Sequence, residues 1–149
     1  MFLESLIIKD VFGNNIRSVK FNPNGLNLIV GIPDKDGSTN NIGKTTLIRC
    51  IDFCLGGKIE QLYKDKEFKT INDDIFSFLI KKQPYFEIIL SNSIQKNIKY
   101  KILRKIIYKH ERKDFSIEDQ IWSNDTLIEG DFKQKLKEIY LIIKMKNQH

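Results

Sequence analysis

The spacing of hydrophobic residues predicts that the chain begins with extended segments. Phe2 to Lys9 is apolar and rich in β-branched residues, and Ile16 to Phe21 alternates between apolar and polar positions. Gly13-Asn14-Asn15 offers turn chemistry between the two segments, which therefore predict a β-hairpin. Leu26 to Val30 is a short apolar run that ends at Gly31, and this pattern is typical of a buried strand.

The spacing changes at Lys44, where apolar residues begin to recur every three or four positions. This period continues to Leu55 and predicts a helix that is terminated by Gly56-Gly57. Similar spacing predicts a second helix around Ile71 to Leu79 and a closing helix that starts after Asp131. The apolar face of the closing helix consists of Phe132, Leu136, Ile139 and Ile143.

The second half of the chain contains further strand patterns. Tyr85 to Leu90 follows a proline, and Ile98 to Tyr108 alternates between apolar residues and lysines. We expect these segments to form a second hairpin that is more open to solvent than the first. Glu118 to Ile128 predicts one more strand and a turn around Trp122 to Asp125.

Length and composition are those of one ordinary domain, here residues 1–149. The chain is 41% hydrophobic and 30% charged, with no apolar stretch long enough to span a bilayer. The first ten residues contain acids where a secretory signal begins with basic residues, so we expect a cytoplasmic location. Cys50 and Cys54 share one face of the first predicted helix, and we expect buried free thiols rather than metal ligands.

Positive charge is concentrated in one segment. The chain carries a formal net charge of +6, and residues 96–113 hold eight basic residues against one acid, Glu111. Such a patch attracts polyanions, although charge runs more often form solvated surface. Lys99, Lys101 and Lys105 alternate on the predicted hairpin and are the candidate contacts to a DNA backbone.

The segment before the first helix contains the chemistry of a phosphate-binding loop. Gly43-Lys44-Thr45 follows the predicted strand and a polar loop, and it opens the helix. A triphosphate requires backbone N–H donors, a helix N-terminus, one cation and a hydroxyl that holds Mg²⁺. We assign the cation to Lys44 and the Mg²⁺-binding hydroxyl to Thr45. The candidate nucleotide-binding residues are Ser38, Asn40, Asn41, Ile42, Gly43, Lys44, Thr45 and Thr46.

These residues resemble the Walker A segment of SMC-like ATPases, the RecF, RecN and SMC group. The resemblance is strongest from Asn40 to Gly56, which ends in the pattern Ile51-x-Phe53-x-Leu55-Gly56. It extends upstream to Gly25–Gly31 and, more weakly, downstream to Tyr100–Lys105 and Trp122–Asp125. The insert Ile32 to Thr39 resembles that of a bacterial branch of these proteins.

The resemblance implies an α/β fold, the N-terminal half-head of an ABC-type P-loop NTPase, with antiparallel hairpins beside a strand, the phosphate loop and a helix. It implies ATP and Mg²⁺ as ligands and a role in DNA repair, chromosome organisation or defence. In this family the second lobe carries the signature motif, the Walker B aspartate and the catalytic glutamate. The expected partners are therefore a C-terminal lobe or a homodimeric head, together with non-specific duplex DNA.

Departures from the pattern leave alternatives open. Ser38 stands where the consensus has its first glycine, and Asn41 replaces another family glycine. The sequence contains no apolar run ending in Asp-Glu, and Gln148 is the positional candidate for the glutamine that touches Mg²⁺. One alternative is a self-contained small P-loop kinase or NTPase. Another is a non-catalytic fragment that binds nucleotide or DNA and awaits a partner lobe.

Overall fold

The computed structural model describes residues 1–30, 35, 42–92 and 97–146. Six strands and four helices occur in this part of the chain. In chain order they are β1 (Phe2–Lys9), β2 (Asn15–Lys20), α1 (Ile42–Cys54), α2 (Glu60–Tyr63), α3 (Asp73–Lys82), β3 (Tyr85–Ser91), β4 (Lys99–Lys109), β5 (Asp114–Ser123), β6 (Thr126–Leu127) and α4 (Phe132–Lys146).

All six strands form one antiparallel sheet in the order β2-β1-β3-β4-β5-β6. The predicted first hairpin is confirmed. Its turn is stabilised by the Asp10 carboxylate, which accepts hydrogen bonds from the backbone N–H groups of Phe12 and Asn14 and from the Asn14 side chain. Gly13 has a φ of 86°, which favours glycine. The hairpin is therefore encoded locally, in the turn as much as in the strands.

The second hairpin, β3–β4, also forms, but our expectation that it is more open to solvent than the first is wrong. Phe86, Ile88, Leu90 and Ile102 are buried, whereas nearly every residue of β2 is exposed. The reason is position within the sheet. Strand β3 pairs with β1 and β4, and α1 covers its inner face, whereas β2 has one partner strand.

The helices pack on one face of the sheet, which we call the inner face. Phe53 of α1 is fully buried, and its ring meets that of Phe86 edge to face at a centroid distance of 5.2 Å. Gly56, at φ +100°, and Gly57 end α1 as predicted. A Cβ at Gly57 would lie 2.8 Å from the Asp52 carbonyl oxygen, so this close approach requires glycine. The sheet and the C-terminal half of α1 thus form the central core.

The second predicted helix is confirmed as α3, and the residues that flank it explain where it begins and ends. Asn72 caps it by accepting a hydrogen bond from the N–H of Ile75, and Gln83 ends it in the left-handed region.

The short helix α2 was not predicted. It is held in place by Tyr63, whose ring contacts those of Phe76 and Phe115. The closing helix, α4, is confirmed with Leu136 and Ile139 buried.

The prediction of a buried strand from Leu26 to Val30 is wrong. This segment belongs to no strand, and Leu26, Leu28 and Val30 are 89%, 78% and 66% exposed. A strand buried on both faces requires neighbouring strands, and none of the described strands lies beside this segment. The expected strand before the phosphate loop is therefore an apolar segment without a partner in the described part of the chain.

Candidate functional site

The candidate phosphate-binding residues lie at the beginning of α1. The helix starts at Ile42, so Gly43, Lys44 and Thr45 occupy its first turn, as predicted. Gly43 and Thr45 are exposed and Lys44 is half-buried. The first N–H groups of a helix have no intrahelical acceptor and carry partial positive charge, and the first turn of α1 contains no acid. This end of α1 therefore suits an anion.

Part of the predicted site falls outside the described residues. Ser38, Asn40, Asn41 and the neighbouring Gly31 and Gly37 lie there, as does Gln148. The described portion consists of Ile42 through Thr46. These residues form the start of α1 and lie beside a cavity.

That cavity has a volume of about 970 Å³ and lies between the inner face of the first hairpin and helices α1 and α3. Its walls are mostly apolar and include Leu6, Phe86, Leu47, Cys50 and Leu79. Protein cores contain few voids larger than one water molecule, whereas ligand sites span roughly 300–1,000 Å³. The volume of the cavity falls within the range of ligand sites, and Gly43, Lys44 and Thr46 lie in its wall.

Charged and polar groups also line this cavity. Arg17 of β2 and Asp74 of α3 line it together with Lys44 and Thr46 of α1. Sequence reasoning missed Arg17 and Asp74, because they lie on separate elements and neither belongs to a recognisable motif. Two cations and a helix N-terminus favour an anionic ligand, and one carboxylate adds an oxygen of the type that Mg²⁺ prefers.

The two cysteines are free and buried, as expected. Burial raises the pKa of Cys50 to about 11. Burial also raises the pKa of Cys54, and the neighbouring Cys50 adds to this while the Arg104 guanidinium opposes it. Within the described part of the chain, no group of three potential ligands forms a metal site.

Both thiols are therefore expected to react slowly with thiol reagents in the folded protein. For Cys50, a shift from 9.0 to about 11 lowers the thiolate fraction at pH 8 about a hundredfold. A chromogenic disulfide reagent should modify the native chain at least tenfold more slowly than the chain in denaturant, where both thiols react at the free-cysteine rate. Equal rates with and without denaturant would contradict the burial of these side chains.

The three candidate DNA-binding lysines lie on the outer face of the sheet, opposite the helices. Lys99 pairs with Glu4 at 3.0 Å, and the Nζ atom of Lys101 lies 5.2 Å from the ring centroid of Trp122. Lys105 stands in register between Tyr85 and Glu118. Their alternation on one face agrees with the prediction. The acids around them lower the local positive charge relative to a count along the sequence.

Arg104 lies on the same strand but faces inward, so it contributes nothing to the outer surface. Its side chain is 7% exposed and pairs with Asp119 of β5, with 2.7 Å between Nε and Oδ1. The basic segment counted along the sequence is therefore divided between two faces, because successive residues of a strand point in opposite directions.

Among the described residues, no helix has both the length and the apolar character needed to cross a bilayer.

Comparison with known proteins gives a family for nearly the whole chain. The profile of a family described as "AAA domain" matches residues 8–149. "Uncharacterized protein YydD" of Bacillus subtilis (strain 168) is 38% identical over 79 residues. The matched region is 50% of this chain and 13% of YydD, so the chain corresponds to a small part of that relative. No solved structure gave a significant match.

Proposed function

This chain belongs to the family of AAA domains, which are nucleotide-binding ATPase domains, and we propose that it binds Mg·ATP as the N-terminal lobe of an SMC-like ATPase. The observation that carries the proposal is the presence of Gly43, Lys44 and Thr45 in the first turn of α1, beside a large cavity. In this assignment the Walker A residues are Ser38 and Asn40 to Thr46. Lys44 neutralises the β- and γ-phosphates, and Thr45 holds Mg²⁺.

The second part of the proposal is that further polypeptide completes the ATPase site. The exposed apolar segment 26–30 and the apolar walls of the cavity beside α1 support it. Apolar surface of this kind is normally buried against other parts of a protein. Ile29 and Val30 line that cavity, so a sheet layer added over this segment would border the bound nucleotide. Walker B and signature residues, which this sequence lacks, would come from that layer.

Equilibrium binding of a fluorescent ATP analogue tests the nucleotide site. We expect saturable binding by the wild-type chain that requires Mg²⁺ and that unlabelled ATP competes. Saturable binding that persists unchanged in a Lys44→Ala variant would assign the nucleotide to another site, and the absence of any saturable binding would reject the proposal.

DNA binding on the outer face of the sheet is a second candidate function, supported by the alignment of Lys99, Lys101 and Lys105 on one side of β4. Trp122 and Tyr85 lie beside these lysines in register and supply flat rings at the same surface. Such a surface contacts phosphates rather than base edges, so binding would be non-specific and would weaken steeply with salt.

Reversal of these three lysines to glutamate is expected to abolish the retardation of duplex DNA in a gel at about 50 mM salt, the range in which counterion release favours binding. The matched control reverses Lys58, Lys66 and Lys133, which are exposed and lie outside the strands, and it changes the net charge equally. If both triple variants lose DNA binding together, net charge rather than this face is responsible. Retardation that survives in the β4 variant rejects the surface.

A further inference from the structure

Arg104 is a buried charged side chain on the inner face of the sheet, and it has several partners. Besides Asp119, its Nη1 group donates hydrogen bonds to the carbonyl oxygens of Phe53 and Gly57, at 2.5 and 2.7 Å. The guanidinium also lies over the rings of Phe53 and Phe132, with 4.4 and 5.0 Å to their centroids. One side chain therefore joins β4, β5, the end of α1, the following loop and the start of α4.

These contacts require an arginine. The carbonyl groups at the end of a helix lack intrahelical donors and carry partial negative charge, which a buried cation stabilises. The planar guanidinium reaches two carbonyl oxygens and a carboxylate at once while it stacks on aromatic rings, which the ammonium of lysine cannot reproduce. Asp119 balances the charge, so the buried group is both paired and hydrogen-bonded.

The end of α1 that Arg104 holds is also the packed end of that helix. Cys50, Phe53 and Cys54 are buried, whereas Ile48 at the middle of the helix is 58% exposed. A Cβ added at Gly43 would meet no described atom within 4 Å. Among the described residues, the C-terminal end of α1 is therefore its more tightly packed end, whereas the first turn borders the cavity.

A helix transmits the direction of one end over its full length. Thirteen residues span about 20 Å, so a tilt of about 5° at the anchored end moves the first turn by about 2 Å. Displacements of that size separate productive from unproductive placement of a phosphate ligand. The same anchor also holds α4, because Phe132 stacks on the guanidinium and the Cδ1 atom of Leu136 packs against Gly56.

We infer that Arg104 is a positioning residue for Lys44 and Thr45 in the first turn of α1: it fixes the C-terminal end of α1, and through Phe132 it couples the direction of α4 to the placement of these two side chains. The nucleotide part of this inference rests on the proposed function. The structural part, the restraint of α1 by Arg104 and α4, does not.

The test compares Arg104→Met and Arg104→Lys with wild type and with Ile106→Val. The last variant removes a buried methyl group from the inner face of the same strand and controls for loss of stability. Two quantities are measured under conditions in which each variant is folded by circular dichroism. One is hydrogen exchange of the α1 amides without nucleotide, and the other is affinity for the fluorescent ATP analogue.

For Arg104→Met we expect exchange of the α1 amides to accelerate at least tenfold relative to those of β3 and β4, and nucleotide affinity to fall about tenfold. Arg104→Lys should lie between Arg104→Met and wild type. Phe132→Leu should loosen α1 in the same selective manner. Ile106→Val should retain the affinity of wild type. A purely structural side chain changes the measured affinity only by lowering the fraction of folded protein, and each variant is measured where it is folded.

Wild-type exchange in α1 and wild-type affinity in Arg104→Met overturn the inference, as does an acceleration spread evenly over all elements. If Arg104→Met does not fold, Arg104→Lys decides by the same criteria. If the wild-type chain binds no nucleotide, the proposed function fails, and the exchange measurements still decide whether Arg104 restrains α1.

Discussion

Replacement of Lys44 by alanine is expected to weaken the binding of Mg·ATP by roughly ten- to hundredfold. The ammonium group supplies the cation at the first turn of α1, and a charge-assisted hydrogen bond is worth about 1.5–3 kcal/mol. Lys44 is half-buried at the edge of the cavity and has no ion pair among the described residues, so its removal leaves no described partner unpaired. The thermal unfolding midpoint should therefore stay close to that of wild type.

Gly43→Ala provides an independent check on the same loop. Because a Cβ at Gly43 meets no described atom within 4 Å, the substitution should leave the nucleotide-free fold intact. Close approach of a phosphate to the backbone would nevertheless be blocked, so affinity should fall while stability does not. If both variants bind as tightly as wild type, the nucleotide does not contact this turn.

The second large effect is the absence of catalysis. We expect the purified chain to hydrolyse ATP within about twofold of the rate without protein, because phosphoryl transfer requires an oriented water and a second clamp on the phosphate as well as a phosphate loop. This sequence contains no Walker B pattern, and the residues that orient the water belong to the proposed second lobe. The measurement is release of inorganic phosphate, with Lys44→Ala as the control.

Turnover well above background that disappears in Lys44→Ala would contradict the half-site assignment and favour the self-contained kinase or NTPase. In that case Asp74 is the residue to examine, because it lines the same cavity as Lys44 and its carboxylate is a ligand of the type that Mg²⁺ prefers. Loss of that turnover in Asp74→Asn would identify the chain as a complete enzyme. If the chain is a complete enzyme, a missing second lobe no longer explains why segment 26–30 is exposed.

The elements themselves were largely predictable from local patterns. The three- and four-residue spacing from Lys44 to Leu55, followed by two glycines, predicted α1 nearly to its end at Cys54. The alternation along β4 correctly placed Lys99, Lys101 and Lys105 on the face opposite Ile102. These features depend on neighbours two to four positions apart, and such neighbours are visible in a linear sequence.

What the sequence by itself determined was the helix that follows the phosphate motif, the hairpins and the chemistry available at the start of α1. The tertiary structure decided that both hairpins join one sheet, that segment 26–30 finds no described partner, and that Arg17 and Asp74 line the same cavity as Lys44. It also decided that Arg104 faces away from the outer surface and holds the end of α1. The physical reason is that strand pairing and burial depend on residues far apart along the chain, and a run of apolar residues does not specify which strand or helix will cover it.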